Sequence, residues 1–286
     1  ALRLAMAGRD DTVTDVLDPN ATIFRRLWQP LAVAALNTEV ERGAAVMLGR
    51  VLRESFGAGG DACRPLVPRE GLSESLVDPA LARLAALGVE LRLGSRLRGM
   101  EVAGERLAVL SFDSGRETLA EGEAIVLAVT APVAARLLPG LVAPDEFRAI
   151  VNAHYRVAAP ADSPLFVGLV GGAAEWVFRK SEVLSVTVSA ADRFIDTPAE
   201  ELAALLWRDV VRAYDLRDET LPRWQIVKER RATFAATPAQ LARRPQAPTR
   251  WANLALAGDW TATGLPATIE GALRSGFAAA AHLLRA

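Results

Sequence analysis

The chain has 286 residues, of which 51% are hydrophobic and 23% are charged, and its 33 basic and 34 acidic residues leave a formal charge of −1. This composition is that of an ordinary globular protein and excludes intrinsic disorder, collagen-like repeats and coiled-coil rods. The balanced charge argues against a nucleic-acid partner, because such proteins neutralise phosphates with an excess of basic residues.

Few residues are suited to metal or disulfide chemistry. Cys63 is the only cysteine, and the two histidines, His154 and His282, lie far apart in the chain. We therefore expect no disulfide framework and no metal site. No uninterrupted apolar run reaches the roughly 20 residues that a membrane-spanning helix needs. A single cysteine is typical of a reducing compartment, so the sequence predicts a cytoplasmic protein.

The first eighty residues are predicted to be helical. A helical segment over 22–31 contains Pro30, which is expected to kink it. Thr38 and Glu41 have the spacing of a capping box at the start of the next helix, and Gly57 is expected to end that helix.

β-structure is predicted from Val89 onward, after a short helix that starts at Asp78 and ends at Gly88. Apolar residues then alternate with a period of two, which indicates a strand over 89–93 followed by a short meander. Residues 124–129 are continuously apolar, as expected of a strand covered on both faces.

A second β-rich block follows, with a helix near its end. Its predicted strands cover 150–157, 165–170, 175–179, 183–189 and 224–234, and its predicted helix covers 197–214.

The last third of the chain holds the most informative stretch. A short apolar strand, 254–257, meets Gly258 and Asp259, and a helix begins near Thr268. Such a strand–loop–helix unit places free backbone N–H groups and the positive helix end against an anionic or electron-rich ligand. Gly-Asp alone is a common turn, but here the glycine permits close approach and the aspartate offers an acceptor for a sugar-type hydroxyl. The helix also carries small residues suited to close packing: Gly271, Ala272, Ser275 and Gly276.

The order and spacing of this stretch resemble the carboxy-terminal flavin-binding motif of the FAD-dependent amine oxidase and phytoene desaturase superfamily. Within that superfamily the sequence is most similar to the squalene-associated FAD-dependent desaturases, the hydroxysqualene dehydroxylases of bacterial hopanoid synthesis. Three other stretches carry the same resemblance, at 28–38, at 150–156, and at 166–172 together with 175–178, so that it runs over most of the chain.

The resemblance implies that the cofactor is FAD and which residues hold it. Gly258 and Asp259 match the pair that contacts the ribityl–pyrophosphate region. Thr268 and Ile269 match the helix start that lies at the flavin ring. Leu97 best matches the backbone position that pairs with the adenine.

The chain departs from the family in one respect. Family members open with a strand, a G-x-G-x-x-G turn and a helix that hold the FAD pyrophosphate. Here the only G-x-G spans 57–59, follows a predicted helix and has Ala62 in place of the third glycine, so we interpret it as a helix end. The chain is expected to be the carboxy-terminal two-thirds of a family member, truncated at its amino-terminal Rossmann unit. A separate amino-terminal nucleotide-binding segment is therefore an expected partner.

The implied substrate is an apolar C30 isoprenoid. His154 is a candidate proton donor near a leaving hydroxyl, although a structural histidine is the plainer interpretation. Five aromatic residues are candidates to line the substrate cavity, with core packing as the alternative: Trp28, Phe166, Trp176, Phe178 and Trp260. An apolar tunnel is expected beside the start of the last helix, lined by the helices of 20–60 and the strands of 150–190.

The predicted fold is α/β, of mixed α+β type. It combines a discontinuous FAD-binding domain of the amine oxidase type (76–139 and 246–286) with a substrate domain that is helical over 1–75 and built of an antiparallel sheet and a helix over 140–245. The implied reaction is the reductive dehydroxylation of hydroxysqualene to squalene, with reduced FAD providing the hydride. Such a substrate also implies peripheral contact with the inner membrane.

Two kinds of alternative remain open. One is a different flavoenzyme, either a carotenoid- or phytoene-desaturase-like enzyme or an amine oxidase, although two tyrosines give little support for an aromatic cage around an amine. The other is a protein of another class, a non-catalytic fragment or one half of a split flavoprotein.

Overall fold

The computed structural model describes residues 2–68, 70–160 and 162–285. Its helices are α1 (Leu2–Ala5), α2 (Val13–Val16), α3 (Gln29–Leu36), α4 (Ala45–Glu54), α5 (Asp78–Ala86), α6 (Ala131–Leu137), α7 (Ala199–Tyr214), α8 (Pro238–Leu241) and α9 (Ile269–Leu283). Its strands are β1 (Leu97–Ala103), β2 (Arg106–Phe112), β3 (Gly115–Thr118), β4 (Ile125–Leu127), β5 (Phe147–Arg156), β6 (Phe166–Gly168), β7 (Trp176–Lys180), β8 (Val183–Val188), β9 (Trp224–Phe234) and β10 (Leu254–Leu256). No helix in these ranges is long and apolar enough to cross a membrane.

The strands form three sheets within the described residues. β1, β2 and β3 are an antiparallel meander, β4 and β10 are a parallel pair, and the five-stranded antiparallel sheet has the order β6-β7-β8-β5-β9. Helices and sheets in these proportions confirm the predicted mixed α/β fold class. The strands of the second β-rich block and the helix α7 lie close to their predicted positions.

Two main hydrophobic cores hold these layers. One joins the helices of residues 4–52 to α6, β4, β10 and Trp260, and the other fills the space between the five-stranded sheet and α7. The helical segment therefore packs together with the parallel strand pair. The predicted division into an FAD-binding domain and a substrate domain stays a prediction.

The parallel pair brings together two segments that lie far apart in sequence. Leu254 pairs with Ile125, and Leu256 pairs with Leu127. Beside them the buried side chain of Asn253 accepts from the Leu107 N–H at 2.8 Å and donates to the Leu107 C=O at 3.0 Å. These contacts bring residues of 76–139 and 246–286 together, two segments that are far apart in sequence.

The predicted strand over 89–93 is wrong. These residues run without regular structure before β1, and Val89 and Leu93 are 49% and 83% exposed. A strand needs a neighbour for its N–H and C=O groups. No described strand pairs with this segment. The apolar residues alternate as they do in a strand, but no neighbouring strand among the described residues forms hydrogen bonds with them.

The amino-terminal helices also differ from their predicted form. Residues 22–36 are continuously helical, so Pro30 lies within a longer helix, two residues after a π-helical turn at Phe24–Trp28 that runs directly into α3. The helix accommodates the predicted irregularity at Pro30 through this π-helical turn, a usual place for a helix to bend. Thr38 does not form a capping box, because its buried hydroxyl accepts from the Ala236 N–H at 2.9 Å. The helix α4 ends at Glu54, three residues before the predicted Gly57.

Candidate functional site

The candidate site lies at the carboxyl edge of the parallel pair. Because β4 and β10 run in the same direction, the residues that follow them, Val129 and Gly258, lie at one edge of the sheet. The indole of Trp260 donates from Nε1 to the Val129 C=O at 2.8 Å, which joins the two loops. In open α/β sheets ligands bind outside the carboxyl ends of the strands.

Gly258 determines the backbone conformation at this edge of the sheet. Its φ is +140°, and a Cβ at this position would lie 2.5 Å from Nε1 of Trp260. Its N–H donates to the buried hydroxyl of Ser275 at 2.7 Å, and that hydroxyl donates to the Ala272 C=O at 2.6 Å. The strand end is thus fixed directly to α9, in a form that only glycine adopts without strain.

Asp259 follows at the same edge and is partly buried. Burial raises the pKa of its carboxyl group, while the backbone N–H of Trp260 and the charge of Arg244 act in the opposite direction. A carboxylate desolvated in this way gains strongly from a hydroxyl donor that approaches it, because the donor replaces lost water.

The loop between Asp259 and Leu265 is held by Arg244, a residue that our sequence analysis did not select. Its guanidinium group donates to the C=O groups of Leu265 at 2.8 Å and Asp259 at 3.0 Å, to the Thr263 hydroxyl at 3.0 Å, and to the Thr261 C=O. Burial lowers the pKa of Arg244 to about 10, so the group is still charged near neutral pH. No local motif marks this residue, since its partners lie 15 or more positions further along the chain.

The helix α9 begins next to this loop, one residue after Thr268. The Thr268 side chain accepts from the Gly271 N–H at 3.0 Å, and a Cβ at Gly271 would lie 3.1 Å from the Pro266 C=O. The N–H groups at the start of a helix lack partners within the helix, so that of Ile269 is available to a ligand. Gly276, predicted to allow close packing, has no atom within 4 Å of a Cβ and serves no such purpose here.

Leu97 is the first residue of β1 and pairs with Phe112. It is partly buried and packs against the same core that contains Leu254, Leu256 and Trp260. The structure therefore places Leu97 against the hydrophobic core around β4 and β10. A contact between its backbone and an adenine stays a prediction.

Four other candidates share one face of the five-stranded sheet. Phe166 pairs with Phe178, and both Phe178 and His154 pair with Ser185, so these side chains lie on a common face. The rings of Phe166 and Trp176 are 6.3 Å apart, and Nδ1 of His154 is 2.9 Å from the Ser185 hydroxyl. All are partly exposed, unlike the buried residues that face α7.

His154 is distant from the core that surrounds the parallel pair. It lies seven residues along β5 from Phe147, which packs against that core, a separation of about 23 Å at ~3.3 Å per residue. Burial and the charge of Lys180 lower the pKa of His154, which favours the neutral imidazole. These observations are those of a histidine satisfied by a neighbouring hydroxyl, and a proton-donor role stays a prediction.

Two cavities border the helical segment. The larger, of about 710 Å³, lies between residues 22–41 and the loop 169–175, and its lining includes three arginines and three glutamates. The smaller, of about 560 Å³, lies between α4 and the loop residues Ala262 and Gly264. The expected tunnel was to be lined by the helices of 20–60 and the strands of 150–190 and to lie beside the start of α9. In the structure the larger cavity borders the expected helical segment, but its other wall is the loop between β6 and β7, it is lined by six charged residues and no residue at the start of α9 lines it, so a single apolar tunnel is not what the structure shows. The smaller cavity borders the loop that leads to α9.

The remaining two aromatic candidates belong to the core of the parallel pair. Trp260 is only 3% exposed and is fixed by its hydrogen bond to Val129, and Trp28 packs against the same cluster from the helical segment. Neither side chain lines the two cavities. Contact of either with a substrate stays a prediction.

Comparison with known proteins identifies relatives over nearly the whole chain. It is 50% identical over 276 residues to "Hydroxysqualene dehydroxylase" of Rhodopseudomonas palustris, and 49% identical over 274 residues to the protein of the same name from Sinorhizobium fredii. Each alignment covers 96% of this chain and 66% of the relative, so the chain spans just under two thirds of their length.

Solved structures show the same fold at much lower identity. An oxidoreductase from Methanosarcina mazei has a TM-score of 0.69 at 13% identity, covering 93% of this chain and 67% of that one. A double mutant of putrescine oxidase, redesigned in its cofactor binding, has a TM-score of 0.68 at 14% identity, covering 97% and 68%. The model of the flavin containing amine oxidoreductase family matches residues 8–161 and 168–284. This chain therefore belongs to the flavin-containing amine oxidoreductase family, as the resemblance predicted.

Proposed function

We propose that this chain is the main part of an FAD-dependent hydroxysqualene dehydroxylase, which converts hydroxysqualene to squalene by reductive loss of the hydroxyl group. The observation that carries the proposal is 50% identity to a protein of that name over 276 residues, 96% of this chain. In this reaction a hydride replaces the hydroxyl group, which takes up a proton and leaves as water.

The residues present suit a flavin dinucleotide. Gly258 leaves an open approach where a side chain would collide with Trp260, and Asp259 offers a half-desolvated acceptor beside it. We assign Asp259 to the ribityl–pyrophosphate region and the start of α9, Thr268 and Ile269, to the flavin ring. Positive helix ends stabilise electron-rich groups. The flavin supplies the hydride chemistry when bound, and the protein orients the substrate and excludes water.

We assign the neutral isoprenoid to the cavity of about 710 Å³. Its lining includes the apolar residues Pro30, Val33, Val40 and Leu169, and its three arginines and three glutamates leave no net charge. Burial of an apolar chain contributes about 25 cal/mol per Å² and needs no charged partner. The aromatic residues Trp176 and Phe178 lie on β7, which starts directly after the lining residue Glu175.

A substitution in this cavity tests the assignment. In the FAD-loaded protein with its nucleotide site complete, Val33→Trp fills the space and is expected to raise the KM for hydroxysqualene at least tenfold while FAD affinity is unchanged. Val142→Trp is the matched control, because Val142 is 59% exposed and does not line the cavity. Equal KM values for the two variants would contradict the assignment.

We also propose that a strand–turn–helix segment with a G-x-G-x-x-G turn completes the nucleotide site. Two observations support it. The parallel sheet has only two described strands, too few to be stable alone. A second stretch, α5 and residues 89–93, exposes large apolar side chains: Leu81, Leu84, Leu87, Val89, Leu91 and Leu93. A further strand and helix would cover this surface.

Titration with FAD tests the cofactor assignment. The 286-residue chain alone is expected to bind FAD weakly, because each missing charge-assisted hydrogen bond to the pyrophosphate is worth ~1.5–3 kcal/mol and ~1.4 kcal/mol is tenfold in affinity. Addition of the segment, fused or in trans, is expected to tighten binding at least a hundredfold and give a yellow holoprotein that forms squalene from hydroxysqualene. Sub-micromolar binding by the chain alone would overturn the need for the segment, and a holoprotein that oxidises amines without forming squalene would overturn the assigned reaction.

Contact with a membrane surface is a further part of the proposal, since a C30 hydrocarbon dissolves in lipid. The irregular segment after α4 exposes large apolar side chains that suit such a contact, with Phe56 at 60%, Leu66 at 93% and Leu72 at 53% exposure. Replacing these three residues with serine is expected to abolish co-sedimentation with phospholipid vesicles. Unchanged sedimentation would contradict the contact.

A further inference from the structure

The cavity of about 560 Å³ differs in chemistry from the one assigned to the isoprenoid. It lies between α1, α4 and α8, and its wall is apolar where Leu4, Val46, Met47 and Leu241 contribute. Its volume falls within the ~300–1,000 Å³ that is usual for small-molecule sites. Val46 and Leu241 leave part of their side chains exposed, so an acyl or prenyl chain would find apolar surface there, whereas Leu4 and Met47 are only 2% exposed and belong mainly to the core.

The charges around this cavity are mostly of one sign. Four arginines line it, Arg9, Arg50, Arg53 and Arg244, against one lining carboxylate, Asp10, and Glu54, the ion-pair partner of Arg50, reduces the net charge to +2. The larger cavity, by contrast, has equal numbers of arginines and glutamates. A cleft with one sign of charge and low-dielectric walls concentrates ligands of the opposite sign.

Two of these arginines are available to a ligand. Arg50 pairs with Glu54 at 2.7 Å, and Arg244 is occupied by the loop that precedes α9. Arg9 and Arg53 are exposed, and neither forms an ion pair within the part of the chain that the structure describes. Guanidinium groups bind phosphate and carboxylate oxygens in pairs, so the two are suited to one anionic headgroup.

We propose that this cavity binds a single-chain amphiphile with an anionic headgroup, an alkyl or prenyl phosphate, with the phosphate at Arg9 and Arg53 and the chain against Val46 and Leu241. The proposal goes beyond the dehydroxylation, whose substrate and product are uncharged. Binding of the amphiphile requires neither a bound flavin nor turnover, so its measurement is independent of the proposed reaction.

Calorimetric titration of the 286-residue chain with dodecyl phosphate, kept below its critical micelle concentration, tests the proposal. Saturable binding at one site is expected, with at least tenfold weaker binding of dodecanol and no saturable binding of inorganic phosphate. The double variant Arg9→Gln, Arg53→Gln should bind dodecyl phosphate at least tenfold more weakly. The double variant Arg208→Gln, Arg217→Gln removes the same charge from exposed positions elsewhere and should bind it normally.

A second variant tests the chain site separately. Val46 is 38% exposed and lines the cavity, so Val46→Trp should fill the space and abolish binding while circular dichroism and the unfolding midpoint stay unchanged. Dodecanol and dodecyl phosphate binding with equal affinity would overturn the headgroup site. Unchanged affinity in the Arg9 and Arg53 double variant, or in Val46→Trp, would overturn the proposed location.

Discussion

The hydroxyl oxygen of Ser275 lies 2.7 Å from the backbone nitrogen of Gly258 and accepts its hydrogen bond. Because Ser275 is buried in the second turn of α9 and Gly258 ends the extended segment after β10, this one bond sets the distance between the strand end and the helix. Asp259 and the start of α9, the two parts assigned to the cofactor, are positioned relative to each other by it.

Ser275→Ala is expected to lower the free energy of unfolding by about 1–3 kcal/mol, because the buried Gly258 N–H loses its acceptor. The affinity for FAD in the completed holoprotein should fall as well, since the loop is no longer fixed to the helix. Urea denaturation and FAD titration measure the two effects. Ser114→Ala, in the exposed turn between β2 and β3, should change neither. A Ser275→Ala protein with full stability would show that the bond contributes nothing.

Gly258→Ala and Gly276→Ala are the same chemical change with opposite expected results. At Gly258 the new Cβ lies 2.5 Å from Nε1 of Trp260 in a left-handed backbone region, so we expect a loss of more than about 3 kcal/mol or failure to fold. At Gly276 the Cβ meets no atom within 4 Å, and alanine should stabilise the helix by about 0.5–1 kcal/mol. Thermal unfolding of the two variants measures the difference. Similar midpoints would contradict the strained geometry of Gly258.

Asp259→Asn is expected to raise the free energy of unfolding at pH 7 and to lower the affinity for FAD. Burial raises the pKa of Asp259 in the folded state above its unfolded value, so its protonated form favours folding and stability falls as the pH rises through the folded pKa. Asparagine removes this dependence, and the free energy of unfolding at pH 7 should rise. FAD affinity should fall about tenfold or more, because one hydrogen bond to a charged acceptor is lost.

Urea denaturation between pH 4 and pH 8 measures the stability half of this prediction. The difference between Asp259→Asn and the unsubstituted protein should grow with pH from about 4, the ordinary pKa of an aspartate, upward. Glu121→Gln, at an exposed position, serves as the control for charge loss alone. A difference that shrinks as the pH rises would mean that the Asp259 carboxylate is stabilising.

Asn253→Ala is expected to loosen the contact between the meander and the parallel pair. Its amide is the partner of both the N–H and the C=O of Leu107, and leaving two buried backbone groups unpaired should cost about 2–5 kcal/mol. Hydrogen exchange at Leu107 and urea denaturation measure the effect. Asn20→Ala, at an exposed position, should be neutral. Retained protection of the Leu107 amide would contradict the role assigned to Asn253.

The sequence by itself determined the family, the fold class and the local units. Period-two alternation predicted the strands that find partners, such as β5 and β9, and the small residues around Gly258 and Thr268 predicted the strand–loop–helix at the candidate site. These signals are local, because a glycine at a tight approach or a threonine at a helix start acts within a few residues of itself.

The tertiary structure alone decided which of these units have partners. Residues 89–93 alternate like a strand but lie exposed, because strand formation depends on a neighbouring strand and not on the pattern alone. Arg244 holds the loop before α9 and Asn253 joins β2 to β10, yet both contacts cross gaps in sequence that no spacing rule covers. A buried guanidinium or amide group is stabilised only by the carbonyl groups that the fold brings to it, so its role becomes visible when the chain is folded.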